Sequence, residues 1–581
     1  MSDYILSCCS TADLTKEHFK KREISYICFH FELDGKPYRD DLGESIPFEQ
    51  FYQAMKDGAD TKTSQINADE FCEYFEGFLK EGKDILHLTL SSGISGVYNS
   101  AKIAQEMMQE KYPDRKIYIV DSLAASSGYG LLMDKLADLR DEGKSIDEVY
   151  EWAEAHKKEV QHWFFTSDLT FFIKGGRVSK TAGFIGGVMN ICPLLNVDFE
   201  GKLIPRQKVR TKKKVMNTIV DRMEELAESG VDYSGKCYIS QSACMEDAQA
   251  VAALVEKRFP KLDGKVEINS IGTTIGSHTG PGTVALFCWG KEENPVIELL
   301  KAFLFGIVEG TTEWLPISST GHMILLNEVL PLDVSDEFYS MFEVVIQLGA
   351  ILAVVILFWS QIWPLGKKNN VAPLSKKGPG AWIKKDIFIL WFHILVSCVP
   401  AAIVGILFDE LFEKWFYNYT TVAIMLILFG IAFIVIENYH KGKSAKINSI
   451  ADIGYDTAML IGLFQLIAAI FPGTSRSGAT IVGALLIGVS RTVAAEYTFF
   501  LAIPVMFGAS LLKLIKFGLS FTMGEAVILI VGMVVAFVVS LIVIQFLMGY
   551  IKKHDFKVFG WYRIVLGVIV LLAGIVGIIH A

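Results

Sequence analysis

The chain has 581 residues, and its 55 Lys and Arg against 64 Asp and Glu give a formal charge of −9 at pH 7. This length allows several domains, and the acidic balance does not favour a nucleic-acid partner. Charged residues are spread evenly up to about residue 290, whereas long apolar runs dominate afterwards. We therefore expect a soluble domain at 1–290, a linker at 291–297 and a membrane domain at 298–581.

The first half of the chain alternates strand-like and helix-like segments. Residues 85–91 (ILHLTLS) and 116–120 (KIYIV) are short apolar runs, each followed by a turn rich in Ser and Gly and then by an amphipathic segment such as 130–140. This alternation predicts an α/β domain with mainly parallel sheets and with ligand sites at the carboxyl ends of the strands. The hydroxyls found there, in 91–96 (SSGISG) for example, either cap helices or hold an anion.

Several loop motifs, taken together and in order, resemble the DegV family of fatty-acid-binding proteins. They are 10–14 (STADL), 63–65 (TSQ), 90–101 (LSSGISGVYNSA), Gly175-Gly176-Arg177 followed by Pro193 and Arg210-Thr211, and 278–282 (HTGPG). The resemblance covers essentially residues 2–290 and implies two α/β lobes that enclose one long-chain fatty acid, without a cofactor or turnover chemistry. The residues that it implies for the carboxylate and for the mouth of the pocket are Thr63, Ser64, Ser92, Ser95, Arg177 and His278.

The chemistry of such a pocket agrees with these residue types. A carboxylate buried beside an apolar tunnel needs hydrogen-bond donors, and hydroxyls supply them without burying a second charge. The sequence departs from the family at Cys9, where the family usually has Asp, and at Asn67, where it usually has Ser.

Residues 1–14 lack the basic start and the long apolar core of a signal peptide, so we expect a cytoplasmic soluble domain with reduced thiols.

Six apolar runs in the second half approach or reach the roughly 20 residues needed to cross a bilayer. They are 342–359, 387–408, 422–436, 497–512, 526–548 and 562–579. A buried helix of a soluble protein rarely needs such length. We therefore predict an all-α, multi-pass membrane domain.

Two stretches of the second half, 305–322 and 461–478, align without a gap, and each is an apolar segment broken by Pro and small hydroxyl residues. Broken helices paired in this way form an inverted repeat whose binding site lies where they meet, near the bilayer midplane. We expect both pairs to be re-entrant. The matched positions, all 156 residues apart, are Gly306 with Gly462, Glu309 with Gln465, Pro316 with Pro472, and Ser319 with Ser475.

The two stretches also carry reactive side chains. Glu309 and Glu313 are four residues apart and hence on one helix face. Acids in an apolar segment are costly unless paired, metal-bound or open to water, so they favour a functional site over a surface helix that links the domains. Hydroxyls and an imidazole follow in 316–322 (PISSTGH). In 472–480 (PGTSRSGAT), a guanidinium among hydroxyls at a helix start suits a phosphate, although alone it is also compatible with a basic turn.

These motifs, with weaker matches at 500–506 (FLAIPVM) and 561–563 (WYR), resemble the undecaprenyl-diphosphate phosphatase family linked to bacitracin resistance. The resemblance covers roughly residues 298–581. It implies hydrolysis of undecaprenyl diphosphate to the monophosphate and inorganic phosphate, which recycles the lipid carrier of cell-wall synthesis. The resemblance also implies that the multi-pass domain lies in the bacterial plasma membrane.

The chemistry of diphosphate cleavage assigns roles to the motif residues. We expect Arg476 to clamp the phosphates, Ser319 to be the nucleophile, and His322 to act as its base or as a general acid. Glu309 and Glu313 are expected to hold Mg²⁺ or Ca²⁺ or to orient water. A phosphoserine route and direct attack by water are both open. The further hydroxyls expected to contact the phosphates are Ser318, Thr320, Ser475, Ser477 and Thr480.

The main alternative function is a membrane transporter of a lipid or an anionic solute, because inverted broken helices also occur in transporters. Ser319 and His322 together with Arg476 suit phosphate hydrolysis better than solute passage. A third interpretation makes the acyl-binding domain primary and the membrane part an anchor, but an anchor does not need intramembrane acids. The expected partners are thus undecaprenyl diphosphate, a long-chain fatty acid and the lipid bilayer, and a homodimer is a further expectation.

The distribution of lysines predicts a topology that contains a conflict. Lysines in 367–385, 441–446 and 552–557 predict cytoplasmic loops, which leaves 409–419 and the C-terminus outside. If 305–326 is a re-entrant hairpin, its start also lies outside, contrary to a cytoplasmic soluble domain. Either the first broken helix spans the membrane or the soluble domain crosses it, and we favour the cytoplasmic placement.

Overall fold

The computed structural model describes residues 4–178, 191–291, 295–366, 370, 372–375, 378–416, 418–518 and 521–576. Contacts within the chain divide it into two units, Met1–Glu293 and Asn294–Ala581. Of the expected linker, residues 292–294 lie outside the described residues, and Pro295 already begins a helix. Part of the lysine pattern behind the expected topology also lies outside them, namely Lys367, Lys368, Lys376 and Lys377.

The first unit combines strands and helices, as the alternating sequence pattern predicts. Its described strands are β1 (Tyr4–Cys9), β2 (Ile24–Ile27), β3 (His30–Leu33), β4 (Lys36–Arg39), β5 (Thr61–Ser64), β6 (Asp84–Thr89), β7 (Ile117–Asp121), β8 (Val160–Thr166), β9 (Ile191–Val197), β10 (Leu203–Arg210), β11 (Tyr238–Gln241), β12 (Glu267–Ser270) and β13 (Thr283–Trp289). Its described α-helices are α1 (Lys16–Lys21), α2 (Phe48–Lys56), α3 (Ala68–Lys80), α4 (Val97–Lys111), α5 (Ser127–Asp141), α6 (Ile146–His156), α7 (Thr170–Lys174), α8 (Lys212–Leu226), α9 (Met245–Arg258) and α10 (Thr273–Thr279).

The strands form three sheets. One sheet, in the order β2-β1-β6-β7, is fully parallel and contains both apolar runs identified in the sequence. The second, in the order β10-β9-β8-β13-β11-β12, is antiparallel except for the β11–β12 pair, and the small sheet β4-β3-β5 is antiparallel throughout. The expectation of mainly parallel sheets is therefore wrong for these two. The connection 198–202 between β9 and β10 is too short for the crossover that parallel strands require.

Strand β8 lies between two apolar cores. Successive side chains of a strand point to opposite faces, and Trp163 and Phe165 pack into the core beneath α8 and α9. Phe164 instead joins the core that contains the parallel sheet. All seven residues of β8 are buried, so a polar residue on this strand has no access to bulk water.

The departure at Asn67 leaves the start of α3 intact. The Asn67 side chain accepts a hydrogen bond from the Glu70 N–H (3.0 Å), and the Glu70 carboxylate accepts one from the Asn67 N–H (2.9 Å). This reciprocal arrangement is a capping box, and Asn is as good an N-cap residue as Ser.

The second unit is helical throughout its described secondary structure, apart from isolated bridges. Its α-helices are α11 (Pro295–Thr312), α12 (Ser319–Val329), α13 (Asp336–Val345), α14 (Gln347–Leu357), α15 (Trp359–Ile362), α16 (Lys385–Phe416), α17 (Tyr419–Tyr439), α18 (Tyr455–Ile470), α19 (Arg476–Leu486), α20 (Arg491–Phe517), α21 (Met523–Ile551) and α22 (Lys557–Val576).

Among the described residues, six helical segments are long and apolar enough to cross a membrane, and each overlaps one of the six apolar runs. They are Asp336–Leu357, Lys385–Gly405, Tyr419–Tyr439, Arg491–Phe517, Met523–Ile551 and Lys557–Ile575. The outer face of α21 exposes Ile530, Val534 and Val538, which recur every four residues and form an apolar stripe. The prediction of a multi-pass membrane domain is confirmed.

Each repeat stretch is a pair of helices interrupted at its proline. Helices α11 and α12 flank Pro316, and α18 and α19 flank Pro472. The second helices begin at Ser319 and Arg476, which are 157 positions apart, so the offset of 156 shifts by one residue at the break. In the structure, Ser319 therefore corresponds to Arg476 and not to Ser475. That the pairs are re-entrant in a bilayer stays a prediction.

Matched glycines explain how the first helix of each pair is fixed. A Cβ added at Gly306 would lie 2.7 Å from the carbonyl oxygen of Gly532 on α21, and one at Gly462 would lie 2.5 Å from that of Ser397 on α16. A methyl group does not fit at these distances. Both first helices thus pack closely against a spanning helix at the matched glycine.

Candidate functional sites

The first unit encloses a largely apolar cavity of about 480 Å³. This volume falls within the range of small-molecule sites. The apolar wall includes Phe29, Leu90, Ile94, Phe164, Phe172 and Phe287. The carboxyl ends of strands and helix α10 bring polar side chains to the same cavity, so it combines an apolar body with a small polar group.

Five of the six residues predicted for fatty-acid binding line this cavity, namely Thr63, Ser64, Ser95, Arg177 and His278. Thr63 Oγ1 and His278 Nε2 are hydrogen-bonded at 2.7 Å, and His278 Nδ1 is buried without a partner among the described residues. Burial, and secondarily the charge of Arg177, lowers the pKa of His278 to about 4. At neutral pH the polar group thus consists of hydroxyls, a neutral imidazole and one guanidinium, which suits one carboxylate.

The structure does not bring Ser92 to the cavity. Its side chain is exposed, and its backbone N–H donates to Asp121 Oδ1 at 3.0 Å. The neighbouring Ser91 is buried and donates to the Gly201 carbonyl at 2.7 Å. Of the three serines in 91–96, only Ser95 lines the cavity, and the motif alone did not show which of them does so. Sequence reasoning also missed Gln65, Ser126 and His162, which do line it.

In the membrane unit, one carboxylate joins the two repeat stretches. Ser319 Oγ donates to Glu313 Oε2 at 2.7 Å, and Arg476 Nη2 donates to Glu313 Oε1 at 2.7 Å. Ser477 Oγ also donates to the Glu313 backbone carbonyl at 3.2 Å. The structurally equivalent first residues of α12 and α19 therefore bind the two oxygens of the same carboxylate.

Strained serines precede these two residues. Ser318 has φ of 77° and Ser475 has φ of 65°, a region that non-glycine residues rarely occupy. Each serine caps its helix, with Ser318 Oγ accepting from the Gly321 N–H (3.4 Å) and Ser475 Oγ from the Gly478 N–H (3.2 Å). Backbone strain of this kind collects at functional sites. Here it turns Ser319 and Arg476 toward Glu313.

Arg563 on α22 ties the two breaks together. Its side chain is fully buried. It donates to the carbonyl of Pro316 (3.2 Å) in the first break and to those of Gly473 (2.9 Å) and Thr474 (2.8 Å) in the second. The sequence predicted only one guanidinium in the site, Arg476. An arginine inside the last apolar run was a usable signal, because charges within membrane spans are rarely unpaired.

Glu309 lies at a second cavity of about 480 Å³, in the membrane unit, which Ser319 and Thr320 also line. Its side chain is 1% exposed, and its Oε1 atom has no hydrogen-bond partner among the described residues. Other polar residues of this wall were missed from the sequence. They are Asn327, Glu328, Ser340, Glu343, Gln347 and Lys513.

The expected metal ligands are only partly available. Both oxygens of Glu313 already accept hydrogen bonds, whereas Glu309 Oε1 accepts none. The described residues contain no group of three or more His, Cys, Asp or Glu side chains arranged to hold a metal ion. Of the two expected ligands, Glu309 is therefore the more available one, and Glu328 and Glu343 line the same cavity.

The remaining predicted residues have partners within the protein. His322 Nδ1 bonds the Ser318 carbonyl and its Nε2 bonds the Tyr562 hydroxyl, both at 2.7 Å, while the two rings stack. His322 is therefore turned away from Ser319. Thr480 Oγ1 bonds Thr498 Oγ1 at 2.9 Å and is fully buried. Thr320 is the expected phosphate contact that faces the cavity together with Ser319.

Two families match the chain, one for each unit. The family described as "Bacitracin resistance protein BacA" matches residues 302–569, and the family described as an uncharacterised protein family, DegV, matches residues 9–291. An undecaprenyl-diphosphatase of Desulfitobacterium hafniense is 64% identical to this chain over 277 residues, which cover 48% of this chain and 96% of that protein. Undecaprenyl-diphosphatase 1 of Clostridium acetobutylicum is 64% identical over 276 residues, which cover 48% of this chain and 97% of that protein.

Solved structures also resemble the first unit. A fatty-acid-binding DegV family protein of Thermus thermophilus is 26% identical with a TM-score of 0.45, covering 50% of this chain and 99% of that protein. A DegV lipid-binding protein of Thermotoga maritima is 27% identical with a TM-score of 0.44, covering 51% and 100%.

Proposed function

The chain belongs to the bacitracin resistance protein family of undecaprenyl-diphosphatases through its second unit and to the DegV family through its first, and we propose that it is a membrane diphosphatase with an attached fatty-acid-binding domain. The reaction is hydrolysis of undecaprenyl diphosphate to undecaprenyl phosphate and inorganic phosphate. By recycling the lipid carrier, this reaction serves cell-wall synthesis and resistance to bacitracin. The observation that carries the proposal is the Glu313 carboxylate shared by Ser319 and Arg476.

The geometry favours Ser319 as the nucleophile and Glu313 as its base. Ser319 Oγ attacks the terminal phosphorus while its proton passes to Glu313 Oε2, which lies 2.7 Å away. The bond between that phosphorus and the bridging oxygen breaks, and undecaprenyl phosphate leaves. Water then hydrolyses the phosphoserine and releases inorganic phosphate. Such a base, held within hydrogen-bond reach, is worth roughly 10²–10⁴-fold in rate.

Arg476 supplies positive charge beside the same hydroxyl. Its Nη2 atom is bonded to Glu313 Oε1, and a guanidinium has further N–H donors that can bind phosphate oxygens. Since Ser319 and Arg476 share one carboxylate, a phosphoryl group at Ser319 lies next to the guanidinium. Phosphoryl transfer depends mainly on such positioning and charge neutralisation.

A divalent cation, Mg²⁺ or Ca²⁺, fits the buried and unpartnered oxygen of Glu309. When bound, such an ion would neutralise charge on the phosphates. Glu313 is less available as a second ligand, because both of its oxygens already accept hydrogen bonds. Direct binding of Mn²⁺ to the purified protein without substrate should weaken in Glu309→Gln, and equal affinity in that variant and the wild type would remove the cation from Glu309.

The diphosphatase proposal is tested with purified protein in detergent, where no compartments exist. Undecaprenyl diphosphate should be converted to equal amounts of undecaprenyl phosphate and inorganic phosphate. A transporter, the alternative expected from the repeat, gives no product under these conditions, and the comparisons give that alternative no support. A phosphorylated Ser319 trapped by rapid acid quenching separates the phosphoserine route from direct attack by water.

We further propose that the first unit binds a long-chain fatty acid in its 480 Å³ cavity. Thr63, Ser95 and Arg177 contact the carboxylate, and the apolar wall surrounds the chain. Full-length protein should release a fatty acid on solvent extraction, detected by mass spectrometry, and Thr63→Ala with Ser95→Ala should reduce the amount. Protein that carries no fatty acid and takes up no added oleate would contradict the proposal. The side of the membrane on which this unit lies, and the homodimer, stay predictions.

A further inference from the structure

A lysine lines the cavity of the membrane unit that also contains the proposed nucleophile. Lys513 on α20 and Ser319 at the start of α12 both belong to the wall of this cavity of about 480 Å³. Among the described residues of the wall, Lys513 is the only basic one, whereas Glu309, Glu328 and Glu343 are acidic. The charge of Lys513 therefore attracts an anion to one part of a wall that otherwise repels it.

The ammonium group of Lys513 is directed at a neutral partner across the cavity wall. Its Nζ atom donates to Ser340 Oγ on α13 at 2.9 Å, and Ser340 lines the same cavity. Lysines near the ends of spanning helices commonly extend toward the interface instead. An ammonium carries three N–H donors, so a single hydrogen bond to a hydroxyl does not neutralise its charge.

Lys513 lies outside the cluster proposed for hydrolysis. The described wall of the cavity includes Ser319 but neither Glu313 nor Arg476. The hydrogen bonds within that cluster join Ser319 and Arg476 to Glu313, and they do not pass through Lys513. An anion at Lys513 is thus bound in the cavity that leads to Ser319, while the proton transfer from Ser319 to Glu313 does not depend on it.

We propose that Lys513 and the Ser340 hydroxyl form a second phosphate subsite, which holds a phosphate group as it approaches or leaves Ser319. The inference rests on the proposed diphosphatase function. A phosphate accepts hydrogen bonds from both an ammonium and a hydroxyl, and the charged bond is the stronger one. The phosphate belongs either to the lipid head group or to the released inorganic ion. Because the subsite binds without taking part in proton transfer, its loss raises KM or a product inhibition constant and leaves kcat unchanged.

The test compares binding constants with turnover in full-length protein in one detergent. Wild type, Lys513→Met and Lys513→Arg are assayed for phosphate release from undecaprenyl diphosphate, without and with added undecaprenyl phosphate or inorganic phosphate. In Lys513→Met, KM or an inhibition constant should rise by roughly 10-fold, while kcat stays within twofold of wild type. Lys513→Arg keeps the charge and should restore the constant. Lys513→Gln takes the place of Lys513→Met if that protein does not fold.

The matched control is Lys516→Met. Lys516 lies three residues further along α20 and is exposed, and it does not line the cavity. Its substitution removes the same charge from the same helix, so all the constants should stay within twofold of wild type. An equal rise in Lys516→Met would assign the effect to the overall charge of this surface and would refute the subsite.

The remaining outcomes distinguish the source of the phosphate and the two proposals. A rise in KM and in the inhibition constant of undecaprenyl phosphate assigns the subsite to the lipid head group. A rise confined to inorganic phosphate assigns it to the released ion. Constants that stay within twofold in Lys513→Met, or a rise that Lys513→Arg does not reverse, would overturn the subsite and leave the diphosphatase function intact. A wild type that releases no phosphate would overturn both.

Discussion

At the scale of single residues, Glu313 organises the membrane site. It accepts from Ser319 on one oxygen and from Arg476 on the other, so one carboxylate holds both the serine hydroxyl and the guanidinium. A buried ion pair is stable only when its remaining hydrogen bonds are satisfied. The hydroxyl of Ser319 meets this requirement, and its hydrogen bond to Glu313 fixes its orientation.

Substitution of Ser319 tests whether Glu313 acts through it. Ser319→Ala should lower kcat by roughly 10²–10⁴-fold, and Glu313→Gln by a similar factor, because each removes the same proton transfer. The double variant should be no slower than the worse single variant, since residues that act as a unit are not additive. Initial rates of phosphate release from undecaprenyl diphosphate provide the measurement.

A matched serine serves as the control. Ser335 caps α13 through the Phe338 N–H (3.0 Å) and lies outside the site. Ser335→Ala should cost about 1 kcal/mol of stability and leave kcat within twofold. Multiplicative losses in the double variant would show that Glu313 and Ser319 act independently.

At the scale of structural elements, the two breaks depend on α22. Arg563 bonds carbonyls of both breaks, and these carbonyls have left the helical hydrogen-bond pattern near Pro316 and Pro472. Backbone groups in an apolar surrounding need such partners. The last helix thus stabilises the part of the fold that presents Ser319 and Arg476.

Arg563→Met should therefore affect stability and activity together. Each carbonyl left without a partner costs about 1–3 kcal/mol, so the thermal midpoint in detergent should fall by several degrees, and kcat should fall with it. Arg563→Lys should restore little, because one ammonium group cannot span both breaks as the planar guanidinium does. Trp561→Leu, on the exposed side of α22, is the control. A stable Arg563→Met protein with wild-type kcat would show that Arg563 does not position the site.

The sequence predicted the spanning helices and the two breaks, but not how the residues of the two repeats correspond. The length of the apolar runs was sufficient to predict the six spanning helices, because each helix is one long apolar run. The gapless alignment also located both breaks. It mismatched Ser319 with Ser475, however, because the caps at Ser318 and Ser475 set each helix start through a positive φ, which no residue pattern in a serine-rich loop specifies.

Long-range contacts explain the other differences. The fold of the first unit was predicted as α/β, but its second sheet is mostly antiparallel, and the short connection 198–202 between β9 and β10 does not leave room for a parallel crossover. Five of six fatty-acid residues were located from loop motifs, whereas Ser92 was not separable from its neighbours. Arg563 and Tyr562 approach the breaks from a helix more than 80 residues away in sequence from the nearer break, a proximity that only the tertiary structure provides.

At the scale of the whole molecule, each unit contains its own proposed site. The fatty-acid cavity is lined by residues of the first unit and the diphosphatase site by residues of the second. The contacts of Glu313 require no acyl ligand. Thr63→Ala with Ser95→Ala in the full chain should therefore reduce bound fatty acid while phosphate release stays within twofold of wild type. A large loss of phosphatase activity in this variant, in protein that remains monodisperse, would show that the two units are coupled.

The proposed diphosphatase site depends most on the guanidinium of Arg476, so Arg476→Ala should abolish phosphate release. The rates of purified wild type and variant are compared at saturating undecaprenyl diphosphate. Lys301→Ala is the matched control, because it also removes one positive charge, but Lys301 pairs with Glu298 outside the site. Loss of a guanidinium that stabilises charge in phosphoryl transfer lowers the rate on the order of 10³-fold or more. The rate of phosphate release should therefore fall by at least that factor in Arg476→Ala, although the variant remains folded in detergent. Lys301→Ala should keep a rate near that of the wild type. Activity of Arg476→Ala within a few-fold of wild type would contradict the assignment of the Glu313, Ser319 and Arg476 cluster as the site of hydrolysis.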